Sequence, residues 1–326
     1  MKTIHWGIIG CGSVTEVKSG PALQKAEHSA LVAVMRRNGA LAEDYARRHG
    51  VPRWYDDAQK LIDDPEVDAV YVATPPSTHA EYAIRVAQAG KPVYVEKPMA
   101  RTYAECQQMI AAREKAGVPL FVAYYRRRLA RFLKVKELVE TSAIGEVRFV
   151  QITLYQSPPP KGYDPANLPW RIIPEIAGGG LFLDLASHAL DVLDDILGPI
   201  TEAQGSASNQ AELYAAEDIV GGIWRHQSGT HGVGIWCFTA GDQVDLIEIV
   251  GNRGKITLST FGTEPVRLIT QEGLIEFALD TPQHIQQPLI QTIVDELNGV
   301  GQCPSTGVSA ARTSWVMDQM LAAYRK

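Results

Sequence analysis

Residues 4–14 read IHWGIIGCGSV, and their reading decides the fold. A short apolar run (4–9) ends in Gly10-Cys11-Gly12 and gives way to a helical stretch. That order predicts a strand, a tight turn and a helix. Glycine serves such a turn because it bends sharply and lets the backbone approach a pyrophosphate, which the amides and the helix dipole then hold. Cys11, Ser13 and Val14 complete the candidate cradle. The third glycine of a Gly-x-Gly-x-x-Gly pattern is replaced by Thr15, so the motif needs its context.

The context is a strand–helix alternation. An apolar run at 31–35 follows. Then come a charged helix at 40–49 stopped by Gly50, a short helix at 58–63 and the apolar run VDAVYVA (67–73). A strand without polar alternation is one covered on both faces. A helix at 78–89 closes at Gly90, a strand occupies 92–95, a helix at 103–116 closes at Gly117, and a strand occupies 120–123. Strands separated by helices predict βαβ units, a parallel sheet and a doubly wound α/β domain. The rhythm then changes. After a half-buried strand at 147–156, a Pro-rich loop at 157–160 and one apolar helix at 180–197, strand-like runs succeed one another from 203 to 278 without helices. That predicts a largely antiparallel sheet. Helices at 285–298 and 309–325 close the chain. The predicted division is 1–123 and 124–326.

The 326 residues suit two domains. With 45% hydrophobic and 21% charged residues the chain has the apolar content of a packed protein rather than a disordered one. Lys+Arg 31 against Asp+Glu 37 gives a net charge of −6, a poor match to nucleic acid. By this reading no apolar run approaches the ~20 residues that cross a bilayer, so no membrane partner is expected. Cys11, Cys106, Cys237 and Cys303 show no paired or zinc spacing, and a reduced, cytoplasmic setting is expected.

Three further places carry chemistry. Where an acid would bind a ribose 2′-hydroxyl, the chain reads Val34-Met35-Arg36-Arg37-Asn38. Two guanidinium groups there suit a 2′-phosphate, favouring NADP with NAD as the alternative, unless both are solvated loop arginines. Glu96-Lys97-Pro98 ends the 92–95 strand, at the edge where doubly wound sheets bind ligands. An ammonium group there could stabilise an alkoxide or polarise a carbonyl. Asp184, His188 and Asp191 are spaced four and three apart, on one helix face after Gly178-Gly179-Gly180. A carboxylate can orient an imidazole for proton transfer, or the His is simply a satisfied core residue. A metal is not expected, because a nearby lysine would repel it.

Together these segments resemble the Gfo/Idh/MocA oxidoreductases. The markers are GIIGCGSV (7–14), DAVYVATPPSTH (68–79), GKPVYVEKPMA (90–100), YYRRR (124–128), IGEVRFVQ (144–151), GGGLFLDLASHALD (178–191) and VGNRGKITL (250–258). The resemblance implies a Rossmann domain plus a C-terminal α+β domain with a large, mostly antiparallel open sheet, whose exposed face would form a homodimer or homotetramer. It implies Lys97 as the catalytic lysine, with Asp184 and His188 as the substrate-binding and proton-transfer pair. Gly10, Gly12, Thr74, Pro75, His79 and Glu96 fall where the family lines its cofactor. Arg126 and Arg127 match the family's arginines after the fifth strand. Tyr125 replaces the asparagine common there, which leaves the nicotinamide-side contact open. Trp170-Arg171 matches a Trp-Arg pair near the substrate entrance, and Tyr163 is a further candidate contact.

The activity so implied is hydride transfer between NAD(P) and a hydroxyl or carbonyl carbon of a small sugar or polyol. The ordinary imidazole pKa of roughly 6.5 suits His188 to moving the hydroxyl proton, although Lys97 could do so itself. Two other readings remain open: a redox-assisted lyase or glycosidase with tightly held NAD, and a cofactor-sensing binding protein without catalysis.

Overall fold

A computed structural model describes residues 1–325. The chain clusters into two compact units, one made of Met1–Arg128 and Thr281–Ala311, the other of Leu129–Asp280 and the chain from Arg312 on.

The first unit holds a six-stranded sheet: β1 (Ile4–Ile9), β2 (Ser29–Met35), β3 (Arg53–Tyr55), β4 (Ala69–Val72), β5 (Val93–Val95) and β6 (Leu120–Val122). Their order is β3-β2-β1-β4-β5-β6, and every pairing is parallel. The chain direction of travel reverses between β1 and β4, the place where such sheets bind ligands beyond their carboxyl ends. Every residue of β4, β5 and β6 is buried, as their unbroken apolar runs predict. Helix Gly39–His49 is capped by the Asn38 side chain and stopped by Gly50 in the left-handed region. Helix Tyr103–Ala116 is capped by Thr102 and stopped by Gly117 in the same way. The three-residue β3 escaped the sequence reading. It pairs only with the end of β2, and RWY carries too little pattern to announce a strand.

The second unit holds an eight-stranded sheet: β7 (Val147–Tyr155), β8 (Ile200–Ser208), β9 (Ile219–His226), β10 (His231–Cys237), β11 (Val244–Gly251), β12 (Gly254–Leu258), β13 (Val266–Thr270) and β14 (Gly273–Phe277). The order is β14-β13-β12-β11-β7-β10-β9-β8. The β7–β10 pairing is parallel and the others are antiparallel. Helix Leu181–Leu197 sits over the inner face, with Phe182 edge-on to Trp236 at 5.1 Å between ring centres. Its far end is fixed by Asp194, a buried carboxylate that accepts from Arg312 at 3.1 and 2.7 Å and from the Ile200 amide at 2.9 Å.

One expectation needs correction. The stretch Pro174–Leu197 is long and apolar enough to cross a membrane by length and composition. Its apolar residues are core, since 78% of the most apolar window is buried inside the protein. Asp184, His188, Asp191, Asp194 and Asp195 punctuate the stretch, so it is not one unbroken apolar run in the sequence.

Candidate cofactor and substrate sites

In the first unit, five strand ends bring the predicted residues to one edge of the sheet. Gly10 has φ +91°, and a Cβ there would lie 2.6 Å from the Thr74 methyl and 3.0 Å from the Thr74 amide nitrogen. Only glycine fits this turn between β1 and β4. The Gly10 and Cys11 amides donate to Met35 O at 2.9 and 3.2 Å, which ties the loop to the end of β2. Beside Gly12 the space is open: a Cβ would meet only Gly10 O, at 3.8 Å. The cradle therefore fits a group that must approach the backbone closely, as a dinucleotide pyrophosphate does. Burial pushes the Cys11 thiol up to about 11, so it lines the loop as a neutral group. Ser13 is exposed and Val14 half-buried.

Thr15, at the place of the missing third glycine, is fully buried, and its hydroxyl donates to Gly12 O at 2.8 Å. The close approach has moved to Gly20. A Cβ there would collide with the Thr15 carbonyl oxygen and the Tyr45 hydroxyl, which itself donates to Thr15 O at 2.8 Å. Because one of the two obstacles is backbone, relaxation is expensive. Gly20→Ala is expected to cost about 3 kcal/mol in chemical denaturation. A cost below about 0.5 kcal/mol would show that the packing yields freely.

Arg36 and Arg37, at the tip of β2, are both exposed, and among the described residues neither is in an ion pair with an acid. The Arg36 amide donates to Tyr55 O at 3.1 Å, so its backbone is anchored while its side chain faces solvent. At the end of β4, Thr74 accepts a 2.8 Å hydrogen bond from the Thr78 hydroxyl, and Pro75 leads into the turn Pro76–Thr78. His79 is fully buried, with Nδ1 3.0 Å from Pro98 O and Nε2 2.6 Å from Thr74 O. Burial holds its pKa below the ordinary value against the pull of these carbonyls. It joins the β4 loop to the segment just after Lys97.

Lys97 is half-buried at the end of β5. The preceding Glu96 is buried and accepts three hydrogen bonds: from the Tyr71 hydroxyl at 2.5 Å, the Gln286 amide at 2.6 Å and the Lys97 backbone amide at 3.1 Å. After β6, Arg126 and Arg127 are buried, as is Tyr125. The Arg126 guanidinium lies 5.1 Å from the Tyr125 ring centre, and Arg127 donates to Pro304 O at 2.9 Å.

In the second unit the remaining candidates gather at the start of helix Leu181–Leu197. Two of the three glycines before it have a packing reason, and Gly178 caps the short helix Pro174–Ala177 at φ +89°. A Cβ on Gly180 would overlap Glu217 O, and one on Gly179 would press on the Glu217 carboxylate at 3.0 Å. Glu217 is buried and accepts the Gly180 amide at 2.8 Å, placing negative charge at the helix N-terminus. Burial pushes this carboxyl up from its ordinary value, and the Gly180 N–H pulls it back. Asp184 pairs with Arg171 at 3.0 Å, and Arg171 stacks 4.4 Å from the Trp170 ring centre. Trp170, Arg171 and Asp184 thus form one polar and aromatic cluster. His188, one turn on, is buried and stands edge-on to Phe261 at 5.6 Å. Asp191 is buried and accepts from the Thr313 hydroxyl at 3.3 Å. Tyr163 meets Tyr214 edge-on at 5.4 Å, and burial raises its hydroxyl pKa. Among the described residues no group of three His, Cys, Asp or Glu side chains could hold a metal ion.

Sequence reasoning missed Tyr71, Gln286, Glu217, Tyr214 and Phe261. Glu217-Asp218 could have been flagged as an acidic pair entering a strand. Gln286 carries no local signal, since its partner lies 190 residues away.

A unit whose glycine loop fits a dinucleotide pyrophosphate, and a second unit that presents Asp and His from a single helix, are the parts of a nicotinamide-dependent oxidoreductase. Family models agree: the oxidoreductase family with NAD-binding Rossmann fold matches residues 4–124, and the GFO/IDH/MocA C-terminal domain matches 132–257. The chain is 39% identical over 316 residues to oxidoreductase P35 of Formosa agariphila, covering 97% of each chain. It is 31% identical to myo-inositol 2-dehydrogenase of Thermotoga maritima, covering 82% of this chain and 78% of that one. It superposes on the structure of aldose-aldose oxidoreductase from Caulobacter crescentus in complex with glycerol with a TM-score of 0.85 at 25% identity, covering 99% and 98%. The chain belongs to the Gfo/Idh/MocA family and is an NAD(P)-dependent oxidoreductase acting on CH–OH groups.

Proposed function

We propose that this enzyme interconverts a hydroxyl and a carbonyl carbon of a sugar, polyol or related small molecule, with NADP preferred over NAD. The observation that carries the reading is the sheet order. It brings Gly10–Val14, Arg36-Arg37, Thr74-Pro75, Glu96-Lys97 and Tyr125-Arg126 to one edge of one sheet, at the reversal between β1 and β4. The names of relatives, an inositol dehydrogenase and an aldose–aldose oxidoreductase, support the substrate class.

Gly10, Cys11, Gly12, Ser13 and Val14 would hold the pyrophosphate. Arg36 and Arg37 would hold the 2′-phosphate. Thr74, Pro75, His79, Glu96 and Arg126 would shape the rest of the cofactor site. When bound, NAD(P) gives or takes the hydride. For oxidation, an imidazole nitrogen of His188 takes the hydroxyl proton, and the Lys97 ammonium stabilises the alkoxide oxygen that results. Reduction reverses both roles. Asp184 binds a neighbouring hydroxyl or steadies His188, and Arg171, Trp170, Tyr163 and Tyr125 hold the substrate. We also propose that copies associate through the outer face of the eight-stranded sheet, where Phe149, Ile223, Val233 and Ile235 are exposed.

The cofactor half is tested by parallel NADPH and NADH fluorescence titrations. The parent protein should bind NADPH more tightly. In the Arg36→Ala/Arg37→Ala double variant, NADPH affinity should fall roughly tenfold or more while NADH affinity holds, as expected for loss of charge-assisted hydrogen bonds to phosphate. Equal binding of both cofactors by the parent protein would mean that the two arginines are solvated and that polyol oxidation with NAD should be screened first.

A further inference from the structure

We propose that Gln286 is a positioning residue for Lys97, and that residues 284–286 brace the helix after the glycine loop against the strand end bearing Glu96 and Lys97. The proposal rests on the reading of Lys97 given above. Its basis is a chain of buried hydrogen bonds inside the first unit. The Tyr94 hydroxyl donates to Gln286 Oε1 at 2.8 Å, and Gln286 Nε2 donates to Glu96 Oε1 at 2.6 Å. The same oxygen accepts from Tyr71 at 2.5 Å, and Glu96 Oε2 accepts from the Lys97 amide at 3.1 Å. Gln286 and both tyrosines are fully buried, and the tyrosine rings stack at 4.6 Å. A buried carboxylate needs its full set of donors, because an unmet lone pair away from water is costly. Here the donors also aim it: with Oε1 held by two side chains, Oε2 is left to fix the peptide on which Lys97 stands. His79 fixes the other flank through Pro98 O at 3.0 Å.

The same short segment reaches the glycine-loop side. His284 is buried, with Nδ1 2.7 Å from Val17 O. Facing a carbonyl, Nδ1 must donate, which leaves Nε2 to accept from Lys25 at 2.7 Å. Val17 belongs to the helical turn Thr15–Ser19 that follows Gly10–Val14. His284 and Gln286 therefore touch the backbone beyond the phosphate cradle and, through Glu96, the backbone of Lys97. Without Gln286 the Glu96 carboxylate is one donor short and free to turn towards the Lys97 ammonium, the cation next to it in sequence.

The test is competitive acetylation of the whole protein, without added nicotinamide, using trace acetic anhydride at pH 8. Mass spectrometry reads Lys97 against Lys2, whose side chain is 70% exposed. Gln286→Met keeps the size and removes both hydrogen bonds, and Gln286→Glu sets a second carboxylate against Glu96. Both should change the Lys97:Lys2 ratio by about threefold or more, with a fall for Gln286→Met. Gln291→Met, on the helix Gln287–Leu297 that follows Gln286 and bonded to the Glu27 amide, should leave the ratio unchanged. Ratios within about 1.5-fold of the parent in both Gln286 variants, even with lowered thermal stability, would mean that Gln286 only supports the fold, and would overturn the proposal. If those variants do not fold, Tyr71→Phe removes a donor to the same Glu96 oxygen at nearly constant volume and is read the same way. Lys97→Ala turnover separates the two ideas: undiminished turnover sinks the Lys97 reading, whereas an unmoved acetylation ratio sinks only the role of Gln286.

Discussion

Lys97→Ala is expected to cut turnover by about 10³-fold, within the 10²–10⁴ range of single electrostatic or proton-transfer groups, while NADPH binding survives. The expectation comes from position. Lys97 is the first residue after Glu96 at the carboxyl end of β5, beside the strand reversal where the ligand of such a sheet lies. Its peptide is held on one side by Glu96 and on the other by His79 through Pro98 O. A side chain on a backbone so fixed can meet developing negative charge without being reorganised at that moment, and this is what makes such a group effective. The variant should fold, since the side-chain bonds to Glu96 come from Tyr71 and Gln286 and the third from a backbone amide that alanine keeps. The measurement is initial rate with the best substrate from a panel of aldoses, inositols and polyols, beside a fluorescence titration with NADPH. Turnover within about threefold of the parent would remove Lys97 from the chemistry.

His188→Asn should lower kcat by about 10²- to 10³-fold and flatten the pH dependence that a titrating imidazole imposes. Asparagine keeps a polar group of similar reach but cannot take a proton. His188 stands one turn after Asp184 on helix Leu181–Leu197, held edge-on by Phe261. The start of that helix is fastened by Glu217 and its end by Asp194 and Arg312, so the position of the imidazole is set by packing at both ends. The check is kcat against pH for parent and variant, with substrate affinity measured separately. A retained pH limb and unchanged kcat would return His188 to the role of a core histidine and assign the proton to Lys97.

How far the sequence could be read depends on where each partner lies. Gly10 was legible because its reason, a tight turn after a strand, is local. The position of Arg36-Arg37 at the tip of β2 was legible because the apolar run before it marks where the second strand ends. Asp184 and His188 were legible because helical spacing alone puts them on one face. His79 matches the family's cofactor lining, and its burial between Thr74 O and Pro98 O, to one of which its single ring N–H donates, adds a fastening role that spacing could not suggest. Residues 174–197 pass for a membrane-crossing segment by composition because their apolar residues are core, and the glycines at 178–180 divide them into helices Pro174–Ala177 and Leu181–Leu197.

By itself the sequence determined the alternation of strands and helices, the parallel first sheet, the mostly antiparallel second sheet and the strand-end positions of the proposed site residues. These follow from periodicity and from glycine placement, which act over a few residues. Only the tertiary structure decided that Gln286 completes the shell of Glu96, that Glu217 fills the space left by Gly179 and Gly180, that Gly20 takes over the close contact expected of position 15, and that residues 281–311 return to the first unit. Each is a contact between residues distant in sequence, set by which surfaces meet when the apolar faces are buried, and no short-range pattern encodes that choice.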